Sequence, residues 1–342
     1  MRPHLLTPNP VQHFYRGGDR IAALRGITPE TDRQPEEWLG ATVTRFGEDT
    51  IGLARTPEGL LRDIVETDPQ AWFGGIGRDA HDTGLLVKLL DARQRLPVHV
   101  HPDRDFAVSH LDCPYGKTEA WYVLEAEPGS AVYVGWKAPV DRDELDRRRD
   151  AQDSEWMLDH LNRIPVRAGM GLLCPAGTPH AIEAGVFVAE VQEPTDFSIL
   201  LEWSVTTSTR EESHLDLGFD AVMPAVRTDA TTDAELEALV SLTGCAPAES
   251  PVRSLLPVLA DPYFRLLQAH DAGEVPQSFA VVLATAGNGR LAAAGDAIDL
   301  ARGEAFAVPH AFGPWRVEGD LEVLACLPGA GWPASLHAGG IS

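Results

Sequence analysis

His99 and His101 stand two residues apart in Pro97-Val98-His99-Val100-His101-Pro102, and Glu119 and His180 follow them along the chain. On an extended strand, side chains at i and i+2 leave the same face, so the two imidazoles project into one space. Glu119 and His180 lie at spacings that let a small β-barrel bring a carboxylate and a third imidazole to that same point. Three imidazoles and one carboxylate suit a divalent transition metal with an open position, one ion per chain. Any one of these histidines alone reads as an ordinary core or surface residue. The ordered set is what points to a metal.

The basic residues sharpen this reading. Lys and Arg together number 28, yet only Lys88, Lys117 and Lys137 are lysines. Lysine is a compact donor whose pKa can shift, a role arginine cannot take. Lys88 and Lys117 lie near the metal candidates in sequence, whereas Lys137 reads equally well as a surface residue. Glu190 interrupts the apolar run Phe187-Val188-Ala189-Glu190-Val191. A buried carboxylate needs a partner or a shifted pKa, which makes Glu190 a candidate for acid–base work.

The elements that must position these groups are mostly β. Leu85–Asp91 is an apolar run of strand length, and the segment around His99 is a second strand bracketed by Pro97 and Pro102. Ala120–Leu124, Ala131–Gly135, Arg163–Val166, Leu172–Cys174 and Phe187–Val191 continue the sheet. The charged stretch 141–161 reads as one or two helices inserted between strands, within an insertion near 139–163. The first 60 residues read as loop-rich, punctuated by Gly17-Gly18 and by Pro35–Gly40. Glu58–Val65 reads as a short helix, and Asp68–Gly75 as a turn.

Past Asp216 the layout begins again. Arg302–Pro309 repeats Ala168–Pro175, with Pro six positions after Gly in both, and Ser278–Leu283 repeats Glu119–Leu124. Ser278 then stands where Glu119 stood, and Pro314 where His180 stood. The expectation is two related barrels: residues 1–215 carrying the metal donors and residues 216–342 carrying none. His310 falls on no donor position of the repeat and reads as structural.

Composition narrows the function. The net charge of −23 argues against nucleic acid and anionic membranes as partners. No apolar run approaches the ~20 residues that span a bilayer, and Met1–Pro8 lacks the apolar core of a signal peptide, so a cytoplasmic protein is expected. The four cysteines, Cys113, Cys174, Cys245 and Cys326, form no CxxC. Zinc held structurally on thiolates and a disulfide framework are therefore not expected.

The His-x-His, Glu and His pattern with Gly-x5-Pro-x-Gly-x2-His resembles the cupin signature. The wider chain is similar to class I mannose-6-phosphate isomerases of the shorter bacterial type, of which it would be a divergent member. The likeness runs through Pro35–Gly40, Leu85–Ala92, Val100–Asp103, Gly116–Leu124, Leu161–Val166, Pro175–Ile182, Glu190–Asp196 and His214–Asp216. It implies two cupin-type jelly-roll barrels and a zinc-dependent aldose–ketose isomerase acting through a cis-enediol. Manganese, iron or cobalt would suit the same donors.

Carried over residue by residue, the resemblance implies His101, Glu119 and His180 as ligands, with His99 where the family has Gln. It implies pocket residues at Glu36, Lys88, Lys117, Glu190 and Asp196. Glu190 and Lys117 lead for acid–base work, and Glu36 and Asp196 for orienting hydroxyls. Two positions depart from the family. Leu200 stands where an Arg is usual, and Arg16-Gly17-Gly18 replaces Trp-Gly-Gly. Arg16 or Arg210 could supply the displaced cation. The alternative is a carbohydrate-binding or regulatory protein that kept the scaffold and metal and lost catalysis. The exact sugar, its phosphate, the metal and the oligomeric state stay open.

Overall fold

Leu86–Ala92 and Val186–Gln192 are buried along their whole length, because other elements cover both faces of the sheet they share. The computed structural model describes residues 1–337. These two strands form the middle of a seven-stranded antiparallel sheet. Its order is Val240–Ser241, Gly171–Cys174, Glu119–Ala126, Val186–Gln192, Leu86–Ala92, Glu36–Leu39 and Pro10–Val11. A five-stranded sheet faces it, ordered Leu161–Pro165, Ala131–Trp136, His180–Ile182, His99–Val100 and Ile199–Leu200.

Register decides which residues meet. Residues directly opposite on neighbouring strands share a face. Glu190 pairs with both Lys88 and Trp121, Gln192 pairs with Glu119, and Glu36 pairs with Leu90. With the two-residue alternation of each strand, Glu36, Lys88, Glu190 and Glu119 all point to one side. On the opposing sheet His180 pairs directly with His99. The alternate residues Val87, Leu89 and Val191 join one apolar cluster with Phe264, Leu266 and Leu324 of the C-terminal half. One face of the central sheet is therefore polar and chemical, and the other is the core shared between the halves.

Arg142–Asp150 and Ser154–His160 form two helices between the Ala131–Trp136 and Leu161–Pro165 strands. Asp141 and Asp153 cap them, each accepting from a backbone N–H three residues on. Leu145 and Met157 anchor the pair in a cluster with Trp136 and Phe219. Among the described residues no helix is long and apolar enough to cross a membrane.

The C-terminal half is built on an eight-stranded antiparallel sheet dominated by Ala280–Ala293 and Trp315–Pro328. The halves exchange strands. His4–Leu6 pairs with Ala305–Val308 of the second sheet, and Val240–Ser241 pairs with Gly171–Cys174 of the first. We propose the division 1–215 and 216–342 with these two exchanges. The internal repeat recurs with a different register. Cys174 lies opposite Glu119, but Val308 lies opposite Ala280, two residues beyond Ser278. Hydrogen-bond pairing sets that register, and layout along the chain does not determine it.

Three local expectations are corrected. Pro35–Gly40 is not loop punctuation, because Glu36–Leu39 is a fully buried strand. Asp68–Gly75 holds the short helix Pro69–Phe73, where Asp68 accepts from Ala71 N–H and Gly74 takes the left-handed end. Asp, Pro and Gly serve helix ends as readily as turns. The preceding helix is Leu61–Glu66, after the small Arg55–Thr56 and Gly59–Leu60 hairpin.

Candidate active site

The main chain holds all three imidazoles through the same ring atom. Nδ1 of His99 lies 2.9 Å from the Pro97 carbonyl, Nδ1 of His101 2.7 Å from that of Phe197, and Nδ1 of His180 2.8 Å from that of Thr178. A carbonyl oxygen only accepts, so each Nδ1 carries the proton and each Nε2 presents a lone pair. Ligand atoms of the three rings lie within 4.8 Å of one another. Glu119 reaches them from the facing sheet, 2.9 Å from His101 Nε2 and 3.2 Å from His180 Nε2.

Lone pairs and carboxylate oxygens packed this closely repel unless positive charge lies among them. Lys117 Nζ supplies part of it, 3.0 Å from His101 Nε2 and 3.3 Å from Glu119. His180 Nε2 is buried with no hydrogen-bond partner. That orphaned atom and the nitrogen–oxygen donor set fit a divalent transition ion. Burial and the Lys117 ammonium push the His101 pKa down to about 3. Burial and the neighbouring imidazoles hold His99 well below its ordinary value. Both rings are thus neutral at physiological pH.

A second charged group lies on the same sheet face. Lys88 Nζ is 3.3 Å from Glu36, 3.7 Å from Glu190 and 3.5 Å from Asp196, and it stands over the Trp38 ring. Burial works against the Lys88 charge, but the three carboxylates outweigh it and hold its pKa above the ordinary value. Glu36 is the best served of the acids. Tyr15 donates to it at 2.5 Å and Trp38 Nε1 at 2.8 Å. Burial is overcome there by Lys88, His13 and these donors, so its pKa is lowered. Glu190 has only a share of Lys88. Burial and the charge of Glu119 push its pKa up to about 7.

Removing Lys88 would leave three carboxylates without their common cation. Lys88→Met should destabilise the fold by about 3–5 kcal/mol, as for one partner removed from a buried ion pair. Denaturant titration at several pH values checks this. The deficit should shrink as pH falls, because the uncompensated carboxylates then take up protons.

Lys88, Lys117, Glu36, Glu119, Glu190, Asp196 and His99 line one pocket, together with His13, Phe14, Tyr15 and Ser198. Asp196 belongs to this pocket as well as to its loop, where it accepts from Phe46 N–H at 3.3 Å. Leu200 is buried and lies directly opposite His99, so its side chain leaves the same sheet face. Neither arginine considered as a replacement cation reaches the pocket. Arg16 is 57% exposed and pairs with Asp32, and Arg210 is 47% exposed and pairs with Asp150.

Sequence reasoning missed the residues that hold Glu36. Tyr15, Trp38 and His13 come from segments read as loop, and their aromatic run His13-Phe14-Tyr15 was the available signal. His13 Nδ1 is buried without a partner, so it offers a polar contact to a ligand. Cys174 was also missed at this place. It lies opposite Glu119, and its sulfur is within 4.8 Å of ligand atoms of Glu119 and His180.

Comparison with known proteins gives this arrangement its relatives. No protein-family model matches the sequence. A mannose-6-phosphate isomerase of Streptococcus mutans is 30% identical over 323 residues, covering 90% of this chain and 93% of that protein. The crystal structure of the Bacillus subtilis mannose 6-phosphate isomerase matches with a TM-score of 0.73 at 21% identity, over 95% of this chain and 99% of that one. A mannose 6-phosphate isomerase solved with zinc and yttrium matches with a TM-score of 0.69 at 16% identity, over 96% and 100%. The shared architecture is the mostly β, two-barrel fold of the cupin-like type with a helical insertion. The chain belongs to the mannose-6-phosphate isomerase family, and it is an enzyme of the isomerase class.

Proposed function

We propose that this chain is a metal-dependent aldose–ketose isomerase of the cupin superfamily, interconverting a sugar or sugar 6-phosphate, most specifically mannose 6-phosphate, through a cis-enediol. The observation that carries the reading is the convergence of three Nε2 lone pairs with Glu119, beside a pocket lined by His99, Glu119, two lysines and Glu190, whose pKa is pushed up to about 7. We assign zinc as the ion, one per chain, on His99, His101, Glu119 and His180, and no ion to the C-terminal barrel. The zinc-bound relative supports that choice, and manganese, iron or cobalt suits the same donors. The reading assigns a cytoplasmic enzyme with a small-molecule substrate.

A divalent ion at these donors supplies a Lewis acid that stabilises negative charge on a sugar oxygen. The chain's own residues do the rest. Glu190, as carboxylate, takes the proton from C2 and returns it to C1. Lys117 donates a proton to the C1 oxygen on which charge develops and takes one back from the C2 hydroxyl, so that the enediol collapses to the ketose. Glu36 and Asp196, tied together by Lys88, orient hydroxyls. Tyr15 and Trp38 keep Glu36 aimed, and the apolar walls exclude water.

Phosphate recognition falls to a neighbouring cleft. Arg45, Arg62, Arg78 and His81 line it, and it shares Asp196 with the inner pocket. Arg45 pairs with Glu48 at 2.8 Å and Arg78 with Asp79 at 2.9 Å, both pairs about one-third exposed. Such pairs are weak and exchange readily for a phosphate dianion.

Hydrogen exchange at C2 in deuterated water, followed by NMR on metal-loaded protein, tests the reading. Wild type should exchange mannose 6-phosphate in preference to mannose. Arg45→Ala with Arg78→Ala should raise KM for the phosphorylated sugar roughly tenfold or more and leave exchange of mannose unchanged. Absence of both exchange and ketose formation with either sugar would overturn the isomerase reading and favour a carbohydrate-binding protein, a role consistent with Leu200 in place of the family Arg.

A further inference from the structure

We propose that Cys174 is a fifth metal donor, so that this site captures thiophilic divalent ions through a sulfur bond in addition to its imidazoles and carboxylate. The inference rests on the metal reading above and concerns a residue that reading does not use. Two donor triads share one residue. His99, His101 and His180 form the first, and Glu119, Cys174 and His180 form the second, with the ligand atoms of each triad within 4.8 Å of one another.

Cys174 reaches this place for a reason of register. It is the last residue of the Gly171–Cys174 strand and lies directly opposite Glu119, so both side chains leave the same sheet face. Pro175 follows and ends the strand. Cys174 is 1% exposed and closed off from solvent oxidants. His180 Nε2, fully buried and unpartnered, stands between the two triads with its lone pair unused. The remaining cysteines have other surroundings. Cys113 lies beside Arg78 at 3.6 Å, Cys245 faces the Ala168 carbonyl, and Cys326 is in the apolar core.

The chemistry follows from donor softness. Thiolate prefers zinc, cadmium and cobalt over magnesium or manganese, whereas carboxylate and imidazole discriminate less. Coordination breaks the S–H bond, forms a sulfur–metal bond and releases that proton to solvent. An ion held by these donors would leave the side lined by Lys117 and Glu190 open to ligand.

Cobalt substitution reads this directly. The full chain is stripped of metal and titrated with cobalt(II), with absorption spectra and released protons recorded. The wild type should bind about one ion with a thiolate-to-cobalt charge-transfer band in the near ultraviolet. Cys174→Ala and Cys174→Ser should both lose that band, keep the ligand-field bands of bound cobalt, and release about one proton fewer per ion. Cys245→Ala should keep the band. Cobalt bound by wild type without the charge-transfer band, or a band that survives both Cys174 variants, overturns the proposal. His101→Ala separates the two readings. If cobalt still binds that variant as it binds wild type, the imidazole site falls and this proposal falls with it. If cobalt binding is lost there while wild type shows no band, only the sulfur bond is refuted.

Discussion

Glu190→Gln should lower kcat by about 10²–10⁴-fold, the range that a positioned general base supplies, while metal content stays at the wild-type level. The reason is local. Glu36 has Lys88, Tyr15 and Trp38 to hold it ionised, and Glu119 faces His101, His180 and Lys117. Glu190 alone among the pocket glutamates is left with its pKa near 7, by burial and by the charge of Glu119. A base is most effective when its pKa is near the working pH. Glutamine keeps the size and the hydrogen bonds but cannot carry the proton.

The pH profile follows with a definite sign. Proton removal needs the carboxylate, so kcat/KM should fall as pH drops through about 7. A bound cation offsets the Glu119 charge and moves this acidic limb to lower pH, never higher. For stability the sign is opposite. A carboxyl with a raised pKa binds a proton more tightly folded than unfolded. Its stabilising share is therefore present below the ordinary glutamate value and is lost as pH rises through about 7. Stopped-flow or NMR exchange profiles of wild type and Glu190→Gln check the first statement, and denaturant titrations of the two proteins across pH check the second. A variant within about threefold of wild type would remove Glu190 from proton transfer.

The convergence of His99, His101, Glu119 and His180 was legible because it follows rules of strand geometry. His99 and His101 obey two-residue alternation, and the apolar run around Glu190 announced burial. Register was not legible. That Glu190 lies between Lys88 and Trp121, and that Cys174 faces Glu119, depends on which strands pair and in what phase. No single segment encodes that. Glu36 shows the same limit, since Pro35 and Gly40 signal a loop while the strand between them is fixed by pairing with Leu86–Ala92. The second barrel was visible as a repeat of layout, yet its register puts Ala280 and not Ser278 opposite Val308. Arg16 and Arg210 were plausible stand-ins by charge alone. Only their exposed pairings with Asp32 and Asp150 remove them.

His101→Ala should remove most of the metal and nearly all of the activity. His101 Nε2 is the most contested atom of the site, 2.9 Å from Glu119 and 3.0 Å from Lys117 Nζ. It has one lone pair, which either accepts from Lys117 or holds an ion. With an ion held at that lone pair, the Lys117 ammonium would be free to donate to a sugar oxygen, so the truncated protein would lose a ligand and misplace a donor at once. Changes to groups that merely support a ligand cost 10–100-fold in metal affinity, and loss of a ligand itself should cost about 100-fold or more. Lewis-acid stabilisation of several kcal/mol corresponds to roughly 10³-fold or more in rate. Elemental analysis of protein purified without added metal should find about one ion per chain in wild type and little in His101→Ala. His99→Gln supplies the contrast, because an amide oxygen is the donor that the family resemblance has at this position. That variant should keep its ion and much of its activity, and metal should restore a thermal stability to it that His101→Ala cannot regain. Equal metal content in wild type and His101→Ala would refute the assignment of His101 as a ligand. Loss of metal with full retention of activity would separate the ion from the reaction.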